Sequence, residues 1–289
     1  MTTRRTVRPS GLATLWSKLI HTVCPPLNPP ITDWQGKRVW IVGASSGIGA
    51  ATAQALHTAG ASVALSARSQ PRLHTMQQQL FATDPNPARV IITACDVTQH
   101  DTVQQAWNSI LETWGDCDVI LFMAGTYSPM VCQSWDLATA NHMLTINLQG
   151  CVHVLDCVLP HCLKQPRNKH IAITSSVAGY RGLPRALIYG PTKAALNNLC
   201  ESLWLDLHPI GIGVHRICPG FVSTDLTAKN DFAMPCVISP PQAADYIVAG
   251  FAQGTFEIDF PKRFTRIMRL MALLPHRWYF KLVQAITRS

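Results

Sequence analysis

Seven short runs of β-branched and other apolar residues, apolar along most of their length rather than at every second position, constrain this chain more than any other feature. They are Arg38–Val42, Ser62–Ala67, Val90–Ala94, Val119–Met123, His170–Thr174, Ile212–Ile217 and Phe256–Phe260. A strand with one wet face alternates, whereas a strand apolar throughout belongs to a parallel sheet covered on both sides. Between the runs lie helical segments: Ile48–Ala59, Pro71–Ala82 with proline at its start, Thr102–Trp114, Asn141–Leu163, Tyr189–Leu207 and Pro241–Gln253. Alternation of this kind predicts an α/β fold, a single doubly wound domain around a seven-stranded, mainly parallel sheet. No repeat or linker interrupts residues 33–260, which read as one domain between two extensions, 1–32 and 261–289.

Composition supports a large buried core, with 47% apolar and 14% charged residues. No run of about 18 uncharged apolar residues reads as a membrane span. The N-terminal apolar stretch is broken by Lys18 and His21 and lacks a small-residue cleavage site, which argues against a secretory signal. The ten cysteines are scattered, with no Cys-x-x-Cys pair, as expected for reduced, buried thiols in a cytoplasmic protein. The histidines show no ligand spacing, so no metal is expected.

The formal charge of +8 is uneven. Of 24 Lys/Arg, four fall in residues 1–32 and seven in 261–289, where there is no acid; 13 remain in the body against 16 acids. A slightly acidic body is unlike a nucleic-acid-binding domain, so no nucleic acid is expected as a partner.

The first run leads into Gly43-Ala44-Ser45-Ser46-Gly47-Ile48-Gly49. Glycines between a strand and a helix let backbone N–H groups approach a pyrophosphate at the helix N-terminus, where the dipole favours negative charge. A glycine turn with no ligand has the same sequence; the strand–turn–helix order favours the nucleotide. The second run ends at Ala67-Arg68-Ser69. An acid here would hold a ribose 2′-hydroxyl; Arg68 suits a 2′-phosphate, which favours NADP(H) over NAD(H). Asp96-Val97 closes the third run, and Asp96 reads equally as a nucleotide-side residue or a helix N-cap.

Tyr189 and Lys193, four apart on a predicted helix, share one face. A phenol is a poor acid or base near neutrality unless nearby cations lower its pKa, and Lys193, joined by a positively charged nicotinamide, is expected to do this. Ser176, just after the fifth run, can hydrogen-bond a substrate oxygen as charge develops on it.

Taken in order, Gly43/Gly47/Gly49, Asp96, Ala124-Gly125, Asn147, Ser176, Tyr189/Lys193 and Pro219-Gly220 resemble the short-chain dehydrogenase/reductase family over about residues 36–260. The resemblance implies a Rossmann-type fold and a catalytic set of Asn147, Ser176, Tyr189 and Lys193. It implies a dinucleotide held by Gly43, Ser45, Ser46, Gly47, Ile48, Gly49, Arg68, Asp96, Val97, Ala124, Gly125, Asn147, Tyr189, Lys193, Pro219, Gly220, Val222 and Thr224. Asn147 would lie inside and organise a water linking the lysine to solvent. The expected reaction is hydride transfer between NADP(H) and a small-molecule carbonyl or secondary alcohol, in a homodimer or homotetramer. Two departures stand out: Val42 where the family usually has Thr, and Phe122-Met123 where it has Asn-Asn. Two other readings share the fold: a non-catalytic dinucleotide-binding regulatory module, and a nicotinamide-dependent epimerase or dehydratase. Ser176, Tyr189 and Lys193 together argue against the first; chain length and glycine spacing argue against the second.

The ends are read separately. Leu12, Leu15, Trp16, Leu19, Ile20 and Val23 recur at helical spacing; Lys262, Arg266 and Arg269 form a stripe; Arg277, Lys281, Gln284 and Arg288 form another beyond Pro275. Such basic amphipathic helices either lie on a membrane surface, at the inner face of a membrane, or pack on their own fold or a neighbouring subunit. Lipid binding would imply an apolar or lipid-like substrate.

Overall fold

In a computed structural model, residues 25–229 and 234–287 are described. The N-terminal stripe Leu12–Val23, Cys24 and Arg288 lie outside them. The strands are β1 Arg38–Val42, β2 Ser62–Ser66, β3 Val90–Ile92, β4 Val119–Phe122, β5 His170–Thr174, β6 Gly213–Pro219 and β7 Glu257–Phe260. They form one sheet in the order β3-β2-β1-β4-β5-β6-β7, and every pairing is parallel. The order reverses direction between β1 and β4, which opens a crevice at the carboxyl ends of those strands.

The helices are α1 Gly47–Thr58, α2 Gln70–Phe81, α3 His100–Trp114, α4 Leu137–Lys164, α5 Tyr189–Leu207, α6 Pro240–Ala252, α7 Lys262–Ala272 and α8 His276–Thr287. Side chains alternate across each strand, so both faces of the sheet are buried. Trp40, Val42, Ile120 and Phe122 pack on one side with Trp107, Val154 and Leu196. Val39, Ile41, Val119 and Leu121 pack on the other with Leu56, Ile247 and Phe251. Val42 and Phe122, the departures from the family pattern, are paired across β1 and β4 and fully buried. Apolar packing thus fills these positions between the central strands.

α4 differs from the expected helix over 141–163. It starts earlier, with the Asp136 carboxylate accepting from the Thr139 N–H, and contains a π-helical turn at Thr145–Gln149. Its length and mean hydropathy of 1.3 would let it cross a membrane, yet half of that stretch is buried in the protein. Cys151, Val154, Val158 and Cys162 lie in the core beneath it, so α4 is a core helix.

Both ends of the described chain join the body. The Asn28 amide donates to Val214 O (2.7 Å) and accepts from Val214 N (3.0 Å), pairing with β6 before β7 begins. Ile31 and Trp34 are buried against α6, with Trp34 edge-on to Phe251 at 5.4 Å. At the other end, Thr265, Met268, Tyr279 and Val283 turn inward.

Candidate active site

At the end of β1 the chain turns at Gly43, φ +100°, where a Cβ would lie 2.6 Å from the backbone N of Ala124. Only glycine allows the turn to pass that close to the end of β4. A Cβ at Gly49 would lie 2.1 Å from the carbonyl oxygen of Gly43, so the first turn of α1 packs directly on the loop. Ser46 is the N-cap residue of α1 but makes no side-chain capping bond. A helix start without a side-chain cap, facing a cavity, is suited to an anion.

That cavity has a volume of about 890 Å³, within the range of cofactor and small-molecule sites. Gly43, Ser45, Ser46, Gly47, Ile48, Gly49, Arg68, Asp96, Val97, Ala124, Gly125, Ser176, Tyr189, Lys193, Pro219, Gly220, Val222 and Thr224 all line it. Asn147 is the one predicted site residue that does not; it stands directly behind. Its Oδ1 accepts from Thr126 N (2.7 Å), and its Nδ2 donates to Thr126 O (2.9 Å) and Thr192 Oγ1 (3.2 Å). The π-helical turn places this amide inside, completely buried, where regular helix periodicity gives no hint of it.

Of the two readings of Asp96, the helix-cap reading does not hold. Its carboxylate accepts from Thr98 N (2.9 Å) and Thr98 Oγ1 (2.8 Å) in a local turn, while Gln99 is the N-cap residue of α3. Arg68 is exposed at the rim. Arg72 also lines the cavity, four residues further along, and reaches Asp225 at 3.5 Å across the opening. Arg72, in the first turn of α2, is a lining residue that the sequence reading does not include.

Lys193 is buried, and its ammonium donates to Thr174 O at 2.9 Å. Ser175 Oγ donates to the Lys193 carbonyl at 2.8 Å, which fixes the helix to β5. Ser176 Oγ accepts from Ala178 N at 3.1 Å, so the side chain is held at the cavity wall. The Tyr189 ring is 5.7 Å from the Lys193 ammonium and edge-on to Tyr127 at 5.0 Å. Burial pushes the Tyr189 phenol up to about 12, against the opposing influence of Ser176, and pushes Lys193 down to about 8. The ammonium and the phenol stand close enough for the expected coupling, and desolvation of the ring opposes it.

The model of the family described as short chain dehydrogenase matches residues 37–234. The chain belongs to that family. Among relatives of this short chain dehydrogenase is an uncharacterised oxidoreductase of Staphylococcus epidermidis, 32% identical over 213 residues, 74% of this chain and 90% of the relative. Another, from Myxococcus xanthus, is 30% identical over 236 residues, 82% and 92% of the two chains. Similar solved folds include a Burkholderia phymatum short chain dehydrogenase/reductase in complex with NAD, TM-score 0.75, 24% identical, covering 83% of this chain and 94% of that one. A Thermococcus sibiricus alcohol dehydrogenase complexed with 5-hydroxy-NADP has a TM-score of 0.70, 24% identity, and coverage of 78% and 96%. The protein is accordingly an oxidoreductase with a Rossmann-type fold.

This short chain dehydrogenase carries features at the inner end of the cavity that the sequence did not reveal. Phe264 of α7 reaches the cavity and lies 5.4 Å from the ring of Phe221. Neither Arg181 nor Arg185 lines the cavity. Arg181 donates to the carbonyls of Ala272 (3.0 Å), Met271 (3.3 Å) and Leu274, and stacks over Tyr279 at 4.1 Å. Only a partner some 90 residues away explains its role, and no local signal could have shown it.

Proposed function

We propose that this enzyme reduces an uncharged, apolar carbonyl compound to the alcohol with NADPH, with Ser176, Tyr189, Lys193 and Asn147 as its working groups. The convergence of Ser176 and Tyr189 on one end of a cavity whose other end is the glycine turn carries this reading. The uncapped start of α1 and the close-packed glycines fit a dinucleotide pyrophosphate, and Arg68 with Arg72 fits a 2′-phosphate beyond it.

When bound, the nicotinamide supplies the hydride. Ser176 donates a hydrogen bond to the carbonyl oxygen and polarises it. Tyr189, protonated at neutral pH, transfers its proton to that oxygen as the C–H bond forms, so one hydride and one proton complete the alcohol. Lys193, charged below its shifted pKa, stabilises the resulting phenolate and returns a proton to it. Asn147 holds the Thr126 backbone beside this route.

The substrate class follows from the walls near Tyr189. Leu183, Pro184, Ala186, Phe221, Leu226 and Phe264 line the cavity with Tyr189; among the described residues Lys193, engaged with Thr174 O, is the one charge beside it, and we assign Arg68 and Arg72 to the nucleotide end. An anionic substrate would find no arginine there.

The test is NADPH consumption with a panel of hydrophobic aldehydes and ketones. Tyr189→Phe should lower kcat by about 10²–10⁴-fold and leave NADPH binding, followed by its fluorescence, intact. Full turnover by this variant sinks the reading. For the cofactor, Arg68→Ala should lower kcat/KM for NADPH by about 10–100-fold and leave the NADH value unchanged, since a charge-assisted contact to one phosphate is lost. Equal loss with both cofactors contradicts a 2′-phosphate role.

A further inference from the structure

We propose that α7 and α8 form a docking face for an anionic lipid bilayer. The inner sides of both helices are spent on the protein: Thr265 and Met268 are buried in α7, and Tyr279 and Val283 in α8. The outer sides carry Ile267 (56% exposed), Leu270 (66%), Leu273 (81%) and Trp278 (68%), large apolar side chains in consecutive turns of the chain. Contiguous exposed apolar groups of this size mark an interaction surface.

Charge identifies what the surface meets. Residues 261–289 contain seven Lys/Arg and no acid. Lys262 and Arg269 turn back to Asp259 and Glu257 of β7. The expected stripe of Lys262, Arg266 and Arg269 is therefore split, and Arg263 and Arg266 stand outward beside Ile267 and Leu270. With Arg277 and Lys281 of α8 they are exposed and make no ion pair among the described residues. Four unneutralised cations interleaved with four bulky apolar groups fit the head-group and acyl boundary of an anionic membrane.

Other occupants fit less well. A second copy docked through the same face would bring two identical basic surfaces together. The N-terminal stretch 1–24 has four basic residues and no acid, so it is no better matched. The described chain begins, moreover, near the amino ends of the strands, where Asn28 N donates to Gly254 O and Trp204 Nε1 to Leu27 O. α7 follows the carboxyl end of β7. Because Phe264 of α7 enters the cavity, docking would set the substrate end beside the lipid, from which an apolar carbonyl compound could be drawn. That consequence rests on the catalytic reading above, whereas the docking test does not.

The experiment is flotation of the full chain with vesicles of phosphatidylglycerol and phosphatidylethanolamine, or of phosphatidylcholine alone, at low and high salt. The protein should float only with the anionic vesicles and be released by salt. Arg266→Gln/Arg277→Gln should weaken partitioning about 30-fold, about fivefold per charge, and Leu270→Asp/Leu273→Asp should abolish it. Unchanged thermal melting and unchanged NADPH binding would show that both variants are folded. No flotation of the wild type, equal binding to phosphatidylcholine, or flotation unaltered in both variants overturns the proposal; the last would assign lipid binding to another part of the chain. A dimer in solution that Leu270→Asp/Leu273→Asp splits, with no flotation, would assign the face to a second copy.

Discussion

Two side chains four residues apart carry opposite shifts from one cause. Burial removes water from Tyr189 and Lys193 alike, and in each case it disfavours the charged form, raising the phenol to about 12 and lowering the ammonium to about 8. At neutral pH the pair thus stands as phenol and ammonium, the states a carbonyl reduction consumes. The lysine, not the tyrosine, is then the group that titrates within an accessible range. We expect kcat/KM for carbonyl reduction, which reports the free enzyme, to hold level through neutrality and to fall about tenfold per unit as pH rises above about 8. A profile flat to pH 10 would show that Lys193 keeps an ordinary pKa. The residue types and their order are legible in the chain because hydride chemistry demands them at fixed places along a fold of this kind. Their protonation is not legible, since it depends on walls contributed by Cys151, Cys218 and Tyr127 from distant segments.

Elements place these groups, and one arrangement joins the C-terminal helices to the site. Asp259, buried at the end of β7, accepts from Lys262 and from Thr265 in the first turn of α7. This fixes the helix over the sheet and aims Phe264 into the cavity. At the far end of α7, Arg181 gathers carbonyls of the helix terminus, while Tyr279 Oη donates to Gly182 O at 2.7 Å. The segment between Arg181 and Tyr189 contributes Leu183, Pro184 and Ala186 to the cavity. Arg181→Met should therefore cost about 1.5–3 kcal/mol in urea denaturation, because charge-assisted bonds to those carbonyls disappear. It should also raise the KM for the carbonyl substrate more than the KM for NADPH. Equal effects on both would argue that Arg181 serves stability alone. The strands were legible to within two residues because a run apolar on both faces has few alternatives. The inward turn of Asn147 was not, because the π-helical turn breaks the periodicity from which a helix face is read. Amphipathicity in α7 and α8 was legible as basic stripes, without revealing that Lys262 and Arg269 turn back to β7.

Across the whole molecule, stability and catalysis sit at opposite ends of the sheet. The carboxyl ends of the strands hold the cavity; the amino ends are closed by residues 28–34 and by a buried histidine pair. His170 Nδ1 and His215 Nε2 are 3.1 Å apart, His215 Nδ1 donates to Thr255 O at 2.7 Å, and both rings lie against Phe251. A Cβ at Gly213 would fall 2.3 Å from His170 Nδ1, so the His170 ring requires a glycine on the neighbouring strand. Burial lowers His170 to about 4 and His215 to about 3, and lowers His57 in the last turn of α1 as well. All three are neutral in the fold at pH 7, whereas in the unfolded chain they take up protons near pH 6.5. The unfolded state therefore binds more protons as the solution is acidified. The stability these groups allow is complete above about pH 6.5 and is lost as pH falls toward 4. Each approaches a slope of about 1.4 kcal/mol per pH unit below pH 6.5, so His170 and His215 together remove about 3 kcal/mol between pH 6.5 and 5. Carboxylates with lowered pKa, such as Asp116, Glu257 and Asp259, act only below their unfolded values near 4, outside this window. Urea midpoints measured across pH 7 to 5 should show a loss equivalent to at least two protons. His215→Asn, whose amide can still donate to Thr255 O, should reduce that slope by about one proton. A midpoint that does not move over this range would mean that the pair at the amino ends is charged, or open to water, in the folded protein.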